Sequence, residues 1–308
     1  MIIKIEKQNG IDIIYVRADI PDEEMEKLKN KLIERSSIKD IIKNDCDVYT
    51  EDNILLLKYR KNKLDNKNID EFYNNVINFA KKSYTTNRGS VCGSNKKNLL
   101  DNPKVFSNVI GYMDDFSAKQ KYLLKIQKKK VEYNVRECRF NADYPEKYKN
   151  LMPLIQEIDD NYKKLIPENY NKQLKKANET LFRISNTSFT TITTNVNFQT
   201  SIHRDKGDDE EGFGNLCVIE NGEYNGAETC FPQYGIGVDV RNGDILFMDV
   251  HKYHGNLPMV SKNNDVIRLS IVCYLRHNVW KNTLNITKEE MIKHNELLKS
   301  IKKIKKKG

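Results

Sequence analysis

The sequence predicts an α+β protein whose C-terminal part is an antiparallel β-sandwich or barrel. Three observations carry this. From about Leu181, strand-like segments recur every 8–12 residues, separated by Gly, Asn and Asp. Helical periodicity is confined to the region before them and to the extreme C-terminus. The 308 residues are enough to bury a substantial core without disulfides or a structural metal. The simplest arrangement is one compact unit: N-terminal α/β elements over residues 1–180, the β-core over 181–280, and a tail over 281–308.

The elements follow in order. Apolar and polar residues alternate on both sides of Asn9-Gly10, which reads as a hairpin. Pro21-Asp22 opens a helix through about Arg35, with Met25, Leu28, Leu32 and Ile33 on one face. The apolar run Asn53–Tyr59 suits a buried strand, and Asp70–Ser83 has helical periodicity. A polar loop, TTNRGSVCGSNKKN, follows, then helical patterns over Ala118–Lys130 and Pro145–Leu165. Strand-like segments are SFTTITTNVNFQ, NLCVIE, AETCFP, GVDV, DILFMDV and VIRLSIVCYL. In the tail, Ile286, Met291, Leu297, Leu298, Ile301 and Ile304 recur at helical spacing, with Thr287 placed to cap.

Charge and cysteine usage narrow the classes. The formal net charge is +9, and the tail holds nine Lys against three Glu. A second basic stretch is Lys119–Lys130; each stretch reads as a solvated helix face or as a phosphate-facing surface. The cysteines Cys46, Cys92, Cys138, Cys217, Cys230 and Cys273 form no CxxC pair. That excludes a zinc ribbon and a secreted disulfide framework, and points to buried thiols in a reducing intracellular compartment, nucleus or cytoplasm. No apolar run approaches a membrane span, and the first 20 residues do not read as a secretory signal.

Three of the five histidines lie close together, and two of them fit a pattern. His203-Arg204-Asp205 is an HxD, and GDILFMDVHKYHGN brings His251 and His254. In an extended strand the i and i+2 side chains share a face, so His203 and Asp205 point the same way. Two imidazoles and one carboxylate on one side of a metal form the facial triad of non-haem Fe(II) oxygenases, with positions left for a bidentate 2-oxo acid and O2. His251 and His254 face opposite ways if extended, and His254, closing the strand before Gly-Asn, is the preferred third ligand. His251 is then a scaffold residue, with Asp249 or backbone carbonyls as acceptors for the ligand rings. Arg268, 14 residues after His254, suits the far carboxylate of 2-oxoglutarate, and Ser270 follows it on the same strand face.

The stretch from FTTITTNVNFQTSIHRDKGD through YNGAETCFPQYGIGVDVRNGDILFMDVHKYHGNLP to VIRLSIVCYLR resembles the TET/JBP family of Fe(II)/2-oxoglutarate dioxygenases. The likeness covers roughly residues 181–277, with TTNRGSVCG at 85–93 a less specific match upstream. It resembles a minimal, viral or microbial, member: the Cys-rich domain of animal TET proteins is absent, as is a base-J-binding module. The resemblance implies a double-stranded β-helix (jelly-roll, cupin-like) core. It implies hydroxylation of the methyl group of 5-methylcytosine or thymine in DNA, with Fe(II), 2-oxoglutarate and O2, and ascorbate as a reductant. His203, Asp205 and His254 then carry the metal; Arg268 and Ser270, with Arg139, bind the cosubstrate. Arg88 is a candidate for a phosphate or the cosubstrate, and Asn195 and Asn197 for the base edge. Phe189, Phe198, Phe231 and Tyr234 are candidates for stacking a base that must be flipped or single-stranded. A 2-oxoglutarate-dependent hydroxylase of a protein or small molecule has the same residues and stays open, as does a non-catalytic β-barrel binding module.

Overall fold

Asn9 and Gly10 both take positive φ (51° and 81°), as a two-residue type I′ turn requires. They join β1 (Ile2–Gln8) to β2 (Ile11–Val16) in an antiparallel hairpin. The computed structural model describes residues 1–82 and 106–303. The helix expected through Arg35 stops early, as α1 (Asp22–Leu28). Asn30 turns left-handed at φ 65°, and its N–H and the Lys31 carbonyl bond Ile202 instead of continuing the helix. Ile33 is still buried, but Leu32 is exposed.

Three strands follow: β3 (Asp40–Ile42), β4 (Cys46–Thr50) and β5 (Leu55–Arg60). Helix α2 (Asn66–Ala80) starts four residues before its expected position because the Asp65 carboxylate caps the N–H groups of Lys67 and Asn68. Strand β6 (Phe106–Met113), which the sequence reading did not foresee, leads to α3 (Ala118–Ile126) and β7 (Arg136–Glu137). Next come α4 (Arg139–Asp143), α5 (Pro145–Asn150), α6 (Met152–Leu165) and α7 (Pro167–Asn178). The continuous helix expected over 145–165 is thus broken at Leu151, where Pro153 begins a new first turn.

The C-terminal strands are β8 (Thr191–Val196), β9 (Gly214–Asn221), β10 (Asn225–Gly226), β11 (Thr229–Phe231), β12 (Ile236–Val238), β13 (Ile245–Met248), β14 (Gly255–Asn256), β15 (Met259–Val260) and β16 (Ile267–Tyr274). Helices α8 (His277–Asn282) and α9 (Lys288–Lys303) close the described chain. The larger sheet runs β1-β2-β4-β5-β13-β9-β16-β8-β6-β7; the smaller runs β14-β11-β12-β3, and β10 pairs with β15. Residues 1–180 therefore extend both sheets of the core: β5 pairs with β13, β6 with β8, and β3 with β12.

Burial shows three layers. One core lies between the larger sheet and the helices, joining Phe72, Val76, Ile155, Ile158 and Tyr162 to Ile192, Cys217, Phe247, Leu269 and Ile271. A second lies between the sheets, joining Val48, Leu57, Leu216 and Leu246 to Phe231, Ile236 and Val238. The five described cysteines are buried and unpaired, and no described helix is long and apolar enough to cross a membrane.

The tail helix is docked on the body. Thr287 and Glu290 form reciprocal capping bonds, and Leu298 and Ile301 bury against Phe116 and Leu124. His294 bonds the Val135 carbonyl at 2.7 Å. Leu298→Ala is therefore expected to cost about 2–4 kcal/mol in urea unfolding. A tail that is free in solution would show no loss.

Candidate metal and carboxylate site

Strand β16 presents Arg268, Ser270, Val272 and Tyr274 to one side, and β8 presents Thr193 and Asn195 beside them. The alternate residues Leu269, Ile271 and Cys273 face the helix-side core, as period-2 geometry demands. The inward set lines a cavity of about 210 Å³ between the sheets, together with Leu216, Met248, His203, Asp205 and His254.

The three candidate ligands reach this cavity from two segments fastened by backbone. His203 and His254 exchange two N–H···O bonds of 2.9 Å each, and the Asp205 N–H bonds the Val250 carbonyl at 3.0 Å. The ligand atoms of His203, Asp205 and His254 lie within 4.8 Å of one another. Each imidazole is oriented from behind. His203 Nδ1 meets the Ser201 carbonyl at 2.7 Å, and His254 Nδ1 meets the Lys252 carbonyl at 2.9 Å. A carbonyl only accepts, so Nδ1 carries the proton and Nε2 offers its lone pair. The two Nε2 atoms stand 3.4 and 3.8 Å from the Asp205 carboxylate oxygens. Burial, then the neighbouring His203, push the His254 pKa down to about 4, so its ring is neutral. The neutral His254 ring, a second imidazole and a half-buried carboxylate suit a divalent cation.

His251 stands apart. Its Nδ1 is 3.3 Å from Asp249, which raises its pKa. Asp249 is thus engaged with His251, and backbone carbonyls orient the two cavity histidines.

At the other end of the cavity Arg268 is 5% exposed, and its Nε has no hydrogen-bond partner. Among the described residues it forms no ion pair, and burial lowers its pKa. A buried guanidinium in that condition calls for an anion. Asn195 lies opposite Ser270 in register, with its Oδ1 also unpartnered and its Nδ2 3.5 Å from Ser270 Oγ.

Two expected site residues are elsewhere. Asn197, at φ 48°, uses its amide on backbone: Oδ1 accepts from Arg268 N at 2.7 Å, and Nδ2 donates to the Val266 carbonyl at 2.7 Å. It fixes the strand that carries Arg268, with both ends of its amide engaged by the main chain. Arg139 lies on α4, which packs on β6; its side chain is exposed and pairs with Asp143 at 3.0 Å. It lines a separate cleft with Phe79, Tyr144 and Lys147. Arg88 lies outside the described residues. Of the aromatic candidates, Phe198 lines the cavity, whereas Phe189, Phe231 and Tyr234 are committed to the two cores.

The sequence reading missed Asn256. Its Oδ1 accepts from the N–H and Oγ1 of Thr200, both at 2.7 Å, and its Nδ2 donates to the carbonyls of Phe198 and Leu257. It clamps the segment before His203 to the strand after His254. Its place in the HGN tripeptide was the available signal. Arg276 and Lys206, which also line the cavity, were missed too.

A model of the Tet_JBP family, the oxygenase domain of the 2OGFeDO superfamily, matches residues 123–277. The bifunctional helicase and thymine dioxygenase JBP2 of Leishmania braziliensis is 34% identical over 146 residues, 47% of this chain and 13% of that protein. Thymine dioxygenase JBP1 of Trypanosoma brucei brucei is 31% identical over 148 residues, 47% of this chain and 17% of that protein. The chain thus spans less than a fifth of the length of these relatives. The solved structure of NgTET1 in complex with 5mC DNA has the same fold, with a TM-score of 0.54 at 13% identity, covering 90% of this chain and 100% of that one.

If Asn256 sets the separation of the two ligand segments, Asn256→Ala lowers Mn(II) affinity about 10–100-fold by anaerobic calorimetry. An unchanged affinity would show that the backbone bridge suffices alone.

Proposed function

The chain belongs to the Tet_JBP family of 2OGFeDO oxygenase domains, and from that premise we propose that it hydroxylates the methyl group of a 5-methylpyrimidine, 5-methylcytosine or thymine, in DNA. The superfamily implies Fe(II) and 2-oxoglutarate, and the His203–Asp205–His254 cluster fits the metal. The single observation that carries the reading is one cavity holding that cluster together with the buried guanidinium of Arg268, whose Nε has no partner.

When bound, Fe(II) with 2-oxoglutarate and O2 supplies an oxidant that inserts one oxygen into a C–H bond, releasing succinate and CO2. The rest falls to the chain. His203, Asp205 and His254 would hold the metal. Arg268 and Ser270 take the far carboxylate of the cosubstrate, and Asn197 keeps Arg268 in register. The Ser201 and Lys252 carbonyls hold both imidazoles in the tautomer that binds through Nε2. Leu216, Met248 and Val272 make an apolar wall that limits water near the reacting carbon. A base stacked in duplex DNA cannot reach a cluster enclosed between two sheets, so the target base enters flipped or unpaired. The thymine dioxygenases among the relatives and the DNA-bound structural neighbour support a nucleic-acid substrate.

The test is incubation with Fe(II), 2-oxoglutarate and ascorbate on DNA containing 5-methylcytosine or only unmodified bases, followed by nucleoside mass spectrometry. One added oxygen on a methylated pyrimidine is expected, and none with Asp205→Ala or His254→Ala. No oxidised base, with succinate still forming on a protein or small molecule, would falsify the DNA assignment. Arg268→Ala is expected to weaken 2-oxoglutarate binding about 100-fold by calorimetry on the Mn(II)-loaded protein, with metal affinity retained.

A further inference from the structure

We propose that α3 and α9 together form a phosphate-binding ridge that carries the DNA backbone flanking the target base. The inference rests on the DNA reading above and assigns it a surface.

Residues 116–131 contain six Lys and no acidic residue. Lys119, Lys125, Lys128 and Lys130 are exposed, and so are Lys288, Lys293 and Lys299 on α9. The sequence separates these groups by more than 150 residues, and the fold packs their helices together through Phe116, Leu124, Leu298 and Ile301. Lys129 Nζ adds a cross-link to Ser300 Oγ at 2.6 Å. The lysines are therefore held on a fixed scaffold. Most acids nearby are engaged: Asp115 pairs with Lys121 at 2.8 Å, and Glu290 caps α9 at Thr287. Glu132, Glu289 and Glu296 remain exposed, so the ridge is strongest along the lysines of α3 itself.

The ridge is anchored at the cavity. Arg276 lines the cavity and bonds Asp114, and Asn278 donates to the same carboxylate at 2.9 Å. Asp114 and Asp115 lead directly into α3. The return strand is pinned to the same turn: Asn134 donates to the Asp114 carbonyl at 2.8 Å, and Arg136 to the Asp115 carbonyl at 2.6 Å. A strand leaving the cavity past Lys206 and Arg276 thus meets the base of α3. Sixteen residues of α9 extend about 24 Å, or about seven base pairs. Lysines outnumbering the acids on one surface repel one another, and a polyanion removes that repulsion.

The experiment compares the full chain with a variant carrying Lys119→Gln, Lys125→Gln, Lys293→Gln and Lys299→Gln. A control removes four exposed lysines elsewhere: Lys7→Gln, Lys43→Gln, Lys163→Gln and Lys164→Gln. Binding to a fluorescent duplex is followed by anisotropy across a salt series. The ridge variant is expected to bind at least about 10-fold more weakly, with the log K against log salt slope shallower by about 3–4. The control is expected to change neither by more than about a third of that. Equal effects of the two variants, or an unaltered slope in the ridge variant, overturn the proposal while base oxidation by the unmodified chain leaves the DNA reading standing. No DNA binding or oxidation by the unmodified chain instead removes the DNA reading and the ridge with it. Lysine acetylation of the unmodified chain, read by mass spectrometry, needs no variant to fold: DNA must protect the ridge lysines over the control set.

Discussion

The site depends on one pair of backbone hydrogen bonds. His203 and His254 are 51 residues apart in sequence, and nothing local holds either beside the other. Their reciprocal N–H···O bonds of 2.9 Å make an isolated antiparallel bridge that sets both Cα positions. Once it forms, the period-2 alternation of extended chain puts Asp205 on the same side as His203, and the bond from Asp205 N to Val250 O holds it there. Side-chain chemistry only refines this. The carbonyls of Ser201 and Lys252, each two residues before its histidine, fix the rings. The same i−2 relation holds at both ligands, each of which follows a turn or bend in the chain.

Around the bridge, asparagine does the work that a regular ladder would do. Asn197, Asn215 and Asn256 each turn the amide to main-chain groups on a neighbouring segment; Asn215 both donates to Cys273 O at 2.6 Å and accepts from Cys273 N at 3.0 Å. An amide side chain copies the donor–acceptor pair of a peptide group, so it can satisfy backbone where strands diverge to make room for a cavity. The cavity wall then contains groups left without partners, Arg268 Nε and Asn195 Oδ1, in a region where such groups are costly.

This explains what the sequence could and could not reveal. The strand cadence, the HxD with a distal histidine, and Arg268 on a later strand are readable because strand periodicity and residue type suffice. The asparagine clamps are not readable, since an amide's partner is a backbone atom remote in sequence, and Asn197 looked like a base-reading residue for that reason. Arg139 was misplaced because nothing local says which face of a sheet a short helix will cover. Helix α1 was read too long because Asn30 breaks it for a tertiary reason, its bond to Ile202. The basic stretches of α3 and α9 were each legible as amphipathic, but their association rests on Leu124 meeting Leu298, a contact no periodicity encodes.

The working unit is consequently larger than the family match. Residues 123–277 carry every candidate metal ligand and Arg268, yet that segment alone leaves both sheets with raw edges. It lacks β5, which covers β13, and β3, which covers β12. It lacks β6, which covers the strand bearing Asn195. It also lacks Asn30 and Lys31, whose backbone brackets Ile202, the residue before His203. Tyr59 reaches across from the N-terminal part to Asp244 and the Asp239 carbonyl, tying the turn that sets β13 in place. Beyond the match, α9 supplies the apolar residues that cover Phe116 and Leu124. The ligand geometry is therefore a property of sheets assembled from the whole described chain, and the matched segment is the part of it whose side chains touch the cavity.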